Sequence, residues 1–218
     1  MKKLLIISLF SLISLLVSAP AIAVSYSFYH IVEDGDGPSE LANGTIGETQ
    51  LSLDVTEYSA NTPDQIMFTF SNSGPDASSI TDVYFDDDLP LLNFAGEFLY
   101  TGTVAYSEGA APPILPAGNL VSFTTNYAYD SDSKVQPNGV NPEESLGILF
   151  NYVGVDFETV IAALDAGTMD IGIHVQGFAD GGSESFVTTA PVPEPATILL
   201  IGTGLVGLVT TGRRKFKK

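Results

Sequence analysis

The chain has 218 residues, no cysteine, no tryptophan and a formal net charge of −18. Without cysteine, a disulfide framework and thiolate chemistry are both excluded. Residues 24–192 hold 25 of the 26 acidic residues and a single cation, Lys134, so this part carries a formal charge of −24. Such a charge repels nucleic acid and attracts divalent cations or basic partners, so nucleic-acid binding is excluded as well.

The first 23 residues have the order of a secretory signal peptide. Lys2 and Lys3 are followed by an apolar stretch over residues 4–17, and Ala21 and Ala23 then supply small residues with A-x-A spacing. This order predicts export, with cleavage after Ala23. The alternative is an uncleaved anchor, although the apolar stretch is shorter than the roughly 20 residues that a spanning helix prefers.

Residues 24–187 are predicted to form one all-β domain, a single β-sandwich or jelly-roll-like fold with one short helix. Short segments rich in β-branched and aromatic residues alternate with Gly, Pro, Asn and Asp turns, the pattern of such folds. The predicted strands are 25–32, 51–58, 65–70, 80–85, 98–106, 120–129, 146–153, 169–178 and 185–189. The predicted helix covers residues 157–166, with Asp156 as its N-cap and Gly167 as its stop.

Three consecutive carboxylates, Asp86, Asp87 and Asp88, follow one of the predicted strands. Carboxylate oxygens are the ligands that Ca²⁺ prefers, so these three residues are candidate calcium ligands. The alternative is a solvated turn that binds no metal. Apart from calcium, the sequence indicates no cofactor.

The sequence indicates no catalytic group. Its two histidines, His30 and His174, both lie in predicted strands, where a histidine is more often structural than catalytic. No G-x-S-x-G nucleophile elbow occurs. The segment Asn43-Gly44-Thr45 is interpreted as a turn. We therefore predict that the protein is not an enzyme.

An uncharged stretch over residues 196–212 is about long enough to span a bilayer. Cations follow it directly, namely Arg213, Arg214, Lys215, Lys217 and Lys218. The positive-inside rule keeps these cations in the cytoplasm and leaves residues 24–190 outside. The predicted topology is an external body, one transmembrane helix and a short basic tail over residues 213–218.

A short motif, Val192-Pro193-Glu194-Pro195, precedes this span. Together with the span and the basic tail it resembles the PEP-CTERM sorting signal, over residues 192–218, with residues 188–191 as a linker. The resemblance implies a bacterial protein that reaches the cell envelope, surface or extracellular matrix from an inner-membrane-tethered precursor. It also implies an exosortase as the partner that recognises and cleaves the tail. The alternative is a plain membrane anchor that is never cut.

These features favour an exported structural or interaction protein, and the resemblance implies an association with exopolysaccharide. The alternative is a carbohydrate-binding module or a calcium-dependent adhesive module, with exposed aromatic residues or converging carboxylates. A third hypothesis is a secreted hydrolase, which requires a cleft that holds His174 or a carboxylate pair at about 5 to 9.5 Å.

Overall fold

The computed structural model describes residues 23–58 and 65–188. Within these ranges there are ten strands, two longer α-helices and two short helical turns. The strands are β1 (Ala23–His30), β2 (Leu51–Tyr58), β3 (Gln65–Asn72), β4 (Ser79–Asp86), β5 (Leu92–Tyr100), β6 (Tyr106–Glu108), β7 (Tyr127–Ser131), β8 (Glu144–Tyr152), β9 (Asp170–Gln176) and β10 (Glu184–Thr188). The helices are α1 (Pro38–Gln50), α2 (Val135–Asn138), α3 (Phe157–Ala166) and a 3₁₀ turn over Gly118–Val121.

All ten strands belong to one antiparallel sheet, in the order β5-β8-β3-β2-β1-β10-β9-β4-β7-β6. The central strand β1 is shared: residues 23–27 pair with β2, whereas residues 28–30 pair with β10. The two halves of the sheet face each other, because Phe85 of β4 packs against Phe68 of β3 and Phe150 of β8 at ring distances of 5.1 Å and 4.8 Å. The sheet therefore nearly closes on itself into a barrel around one aromatic core.

Burial differs between the two halves of the sheet. In β2 and β3 the buried residues alternate with partly exposed ones, so one face of each strand packs into the core. In β4 and β10 nearly every residue is buried. The segment between β6 and β7 covers the outer face of β4 and β10. There, Leu115 packs with Tyr84 and Val187 in a second, smaller apolar cluster.

Most of the predicted elements are present. The all-β prediction is confirmed as one large antiparallel sheet, nearly a barrel, where the sequence predicted a sandwich or jelly roll. Helix α3 has the predicted bounds: Asp156 accepts a hydrogen bond from Thr159 N, and Gly167 ends the helix with a φ of 62°. These two signals are local, so the bounds of α3 could be predicted from the sequence alone.

Three predictions were wrong. The predicted strand 98–106 is interrupted, because β5 ends at Tyr100 and β6 begins only at Tyr106. The predicted strand 120–129 begins with the 3₁₀ turn, so β7 starts at Tyr127. The helix α1 was missed, and the predicted turn Asn43-Gly44-Thr45 lies inside it. This helix contains poor helix formers and is stabilised by packing on β1 and β10.

Candidate functional site

The turn between β4 and β5 is organised by Asp87, one of the three candidate calcium ligands. Asp87 is 3 % exposed, and its two carboxylate oxygens accept hydrogen bonds from Leu91 N at 2.9 Å and Leu92 N at 3.0 Å. Its own backbone N–H donates to Asn126 Oδ1 at 2.6 Å. Both Asp87 oxygens therefore have partners within the chain, and this carboxylate fixes the start of β5.

The neighbouring carboxylates are placed differently. Asp86 accepts a hydrogen bond from Thr124 N at 2.7 Å, and Asp88 is exposed. Burial raises the pKa of Asp86, and the charges of Asp88 and Asp87 raise it further, while the Thr124 bond lowers it. Within residues 23–58 and 65–188, no group of three or more His, Asp or Glu side chains is arranged to hold a metal ion. Calcium binding at Asp86, Asp87 and Asp88 stays a prediction.

A cleft lies beside this turn, where β5 and β7 approach each other without pairing. We call it the β5–β7 cleft; its volume is about 430 Å³. Its lining includes Asn93, Phe94, Glu108, Asn126, Tyr127 and Tyr129. A hydrogen bond crosses the gap, from Tyr127 Oη to Leu92 O at 2.7 Å.

The apolar part of this cleft is held rigidly by the core. The Phe94 ring packs on Tyr129 at 4.9 Å and on Phe98 at 5.1 Å. Tyr129 is 1 % exposed, so it supports the ring from below. The polar part is exposed, since Asn93, Glu108 and Asn126 all reach solvent. The cleft therefore combines a fixed aromatic wall with accessible amide and carboxylate groups.

The outer face of the β10 half of the sheet carries a line of polar residues in direct cross-strand register. We call it the polar row: Ser107, Asp130, Asp82, His174 and Ser185. His174 Nδ1 lies 3.1 Å from Asp82 Oδ2, and both side chains are largely buried. Thr81 Oγ1 also donates to Asp82 Oδ2, at 2.9 Å, whereas Asp82 Oδ1 is buried with no hydrogen-bond partner among the described residues.

Asp130 is the carboxylate most affected by its position in this row. Burial raises the pKa of Asp130 to about 6, with further contributions from the charges of Asp82 and Asp132. Burial and, after it, the like charge of Asp82 directly across the ladder make Asp130 hold its proton more tightly than an exposed aspartate. The facing carboxylates of Asp82 and Asp130 therefore destabilise this part of the sheet when both are charged.

The order Asp82–His174–Ser185 is that of an acid, a base and a hydroxyl nucleophile. Catalysis would require the base to be within hydrogen-bond reach of the nucleophile. Within the part of the chain that is described, Asp82 bonds His174 but no hydrogen bond joins Ser185 Oγ to His174. Ser185 is 6 % exposed. The hydrolase hypothesis gains no support from this arrangement.

The second histidine belongs to a separate buried network beneath α1. His30 Nε2 lies 2.9 Å from Glu184 Oε2, and Asn43 Nδ2 donates to both oxygens of Asp180, at 3.2 and 3.1 Å. Burial raises the pKa of Glu184, while His30 and Asn43 act to lower it. Both histidines are thus paired with carboxylates, and this network attaches α1 to β1 and β10.

Several predicted site residues lie outside the described residues. They are Ala21, the sorting residues Val192, Pro193, Glu194 and Pro195, and the basic residues Arg213, Arg214, Lys215, Lys217 and Lys218. Ala23 is described: it is the first residue of β1 and pairs with Thr56. Across residues 23–58 and 65–188, none of the helices has the length and apolar character needed to cross a membrane. The predicted span 196–212 is not part of those residues.

Comparison with protein families gives a match at the C-terminal end of the sequence. Residues 191–215 match the family model of the PEP-CTERM protein-sorting motif. The chain carries a PEP-CTERM sorting motif. This motif indicates exosortase-dependent sorting of an exported protein. No curated protein and no solved structure matches the chain.

The sequence missed the residues that form the β5–β7 cleft. Asn93, Glu108 and Asn126 lie in or beside three different strands and come together only when the sheet curves round. No local pattern marks them, because each is an isolated polar residue near a turn. In contrast, the sorting motif is contiguous and was predicted from the sequence with nearly the same bounds.

Proposed function

We propose that this chain is an exported cell-surface or extracellular-matrix protein that an exosortase cleaves near its Pro-Glu-Pro motif. In this proposal the β-domain remains outside as a non-enzymatic structural or interaction module. The observation that carries the proposal is the match of residues 191–215 to the PEP-CTERM sorting motif. The match begins three residues after β10 ends at Thr188.

The position of the motif separates the folded body from the sorting signal. The last strand, β10, pairs with β1 and β9 in the middle of the sheet, so the folded body includes the chain up to Thr188. Removal of residues beyond the motif takes nothing away from that sheet. The processed body would keep every described hydrogen bond and its whole core.

The charge of the body supports an extracellular interaction role. Residues 24–192 carry 25 acids and one lysine, and such a surface repels other anions and concentrates divalent cations. Mutual repulsion between such surfaces keeps copies of the protein from aggregating. Such a surface also favours basic, cationic or neutral partners over nucleic acid.

Intact mass tests the proposal. The protein is recovered from cells and medium of a bacterium that has an exosortase, and from the same strain without it. We expect a species that begins at Val24 and ends near Pro195, or one that carries an added covalent mass there, only in the first strain. The variant Glu194→Ala should block processing, whereas Glu57→Ala, which replaces an exposed acid in β2, should leave it unchanged. A native chain that still ends at Lys218 in the first strain would contradict the proposal.

A further inference from the structure

The β5–β7 cleft has the features of a binding site for a small polar ligand. Its volume of about 430 Å³ falls within the roughly 300–1,000 Å³ of ordinary ligand sites. It lies where the sheet fails to close, so one wall comes from β5 and the other from β6, β7 and the residues just before β7. A ligand there would contact both halves of the sheet.

The walls of the cleft are preorganised. Asn126 is fixed twice, because its Oδ1 accepts from Asp87 N at 2.6 Å and its backbone N donates to Phe85 O at 2.8 Å. With Oδ1 occupied, the side-chain amide nitrogen of Asn126 remains a donor for a ligand. On the opposite wall, Phe94 is held by Tyr129 and Phe98. Rigid walls lower the entropy cost of binding.

The chemistry of the lining matches sugar hydroxyls. Asn93 and Asn126 each offer an amide, and Glu108 offers a carboxylate that accepts two hydrogen bonds. Adjacent hydroxyl groups of a pyranose can donate to such a carboxylate and accept from such amides. The apolar C–H face of the same ring packs on an aromatic side chain, here Phe94.

The charge of the cleft decides which sugars fit. Glu108 lines the cleft, Asp87 lies behind Asn126, and no cation is among the lining residues. The only cation of residues 24–192 is Lys134, and the cleft does not include it. Uronic acids, sulfated sugars and phosphates would therefore be repelled.

We propose that the β5–β7 cleft binds a neutral glycan, with one sugar ring on Phe94 and its hydroxyls bonded to Asn93, Glu108 and Asn126. This inference deepens the proposed function, on which it rests, by assigning the class of partner that the exported body holds. It gives the protein a defined contact with a neutral polysaccharide outside the cell.

Titration calorimetry of the full-length protein, purified in detergent, tests the cleft. The probes are hexasaccharides of glucose, mannose and galactose, with a hexasaccharide of galacturonic acid and a neutral hexapeptide for comparison. We expect at least one neutral hexasaccharide to bind. The galacturonic acid hexasaccharide and the hexapeptide should not bind. The variants Phe94→Leu and Glu108→Gln should each weaken binding by roughly tenfold.

Two matched controls separate binding from folding. Tyr100→Leu changes an exposed aromatic residue of β5 that does not line the cleft, and Glu97→Gln changes an exposed acid of β5 outside it. Both should retain wild-type affinity, and circular dichroism should show all four variants folded. If Phe94→Leu does not fold, the glycan affinity of Glu108→Gln is compared with that of Glu97→Gln, and this comparison alone tests the cleft.

The proposal is overturned if no neutral hexasaccharide binds at millimolar concentration, if the galacturonate or peptide binds equally well, or if the controls weaken binding as much as the cleft variants. A protein that is processed near Pro195 but binds no glycan would reject the cleft and leave the proposed function standing. A protein that binds the glycan but keeps residues up to Lys218 in the exosortase strain would support the cleft and contradict cleavage by an exosortase.

Discussion

Gly47 of α1 lies directly against the ring of Phe186 in β10, so closely that a Cβ at position 47 would overlap the ring. Gly44, one turn earlier, has the same relationship to the ring of His30. These two glycines let the helix backbone approach the sheet, and the rings of His30 and Phe186 in turn pack on each other at 5.5 Å.

The first prediction concerns this close approach. Gly47→Ala should lower the free energy of unfolding by about 1–3 kcal/mol, because overpacking outweighs the gain in helix propensity. Urea denaturation measures it. Thr49→Ala, at an exposed position of the same helix, should stay within about 0.5 kcal/mol of wild type. An unchanged midpoint for Gly47→Ala would mean that α1 does not pack as described.

The second prediction concerns the buried pair of His174 and Asp82. His174→Ala should cost about 1–3 kcal/mol, because the buried carboxylate of Asp82 then keeps only its hydrogen bond from Thr81. The double variant with Asp82→Ala should cost less than the sum of the single variants. Additive costs in this double-mutant cycle would show that the two side chains do not interact.

The third prediction concerns pH. Because burial raises the pKa of Asp130 to about 6, the folded protein binds this proton more tightly than the unfolded chain does. Its contribution to the free energy of unfolding therefore falls as pH rises from about 4 to 6, and then stays low. Asp130→Asn should be more stable than wild type at pH 7, and this difference should shrink towards pH 4. Urea midpoints across this range measure it; a difference that is constant with pH would contradict it.

The fourth prediction separates the two roles considered for the aspartates after β4. Asp87→Asn should lower stability by about 1–3 kcal/mol, because one backbone N–H of the turn loses its acceptor. Asp88→Asn, at an exposed position, should stay within about 0.5 kcal/mol of wild type. Thermal unfolding with and without added calcium checks both variants. If the three aspartates bind calcium together, calcium should raise the wild-type midpoint, and both variants should reduce that increase.

How far the sequence predicts this fold depends on whether the signal is local. The alternation of Leu51, Leu53 and Val55 places β2, and Asp156 with Gly167 bounds α3. Helix α1 has no such signal, since Gly44 and Gly47 are unfavourable in an isolated helix and are used only for contact with the sheet. Likewise, β5 begins at Leu92, before its predicted start, and the register shift between Phe94 and Glu97 interrupts the regular alternation that would have marked its first residues.

The candidate sites follow the same rule. The sorting motif is read from consecutive residues, so it was predicted directly and confirmed over residues 191–215. The pairing of His174 with Asp82 depends on two strands that are 92 positions apart in the chain, and the cleft depends on the curvature of the whole sheet. Neither could be predicted from spacing along the sequence.

The shared strand β1 sets the order in which the domain can mature during secretion. Residues 23–27 can pair with β2 as soon as both have emerged, but residues 28–30 must wait for β10. Because β10 ends only three residues before the sorting motif, the sheet is completed by the part of the chain that lies just before the motif. A chain that stops before β10 would therefore leave residues 28–30 of β1 without their partner strand.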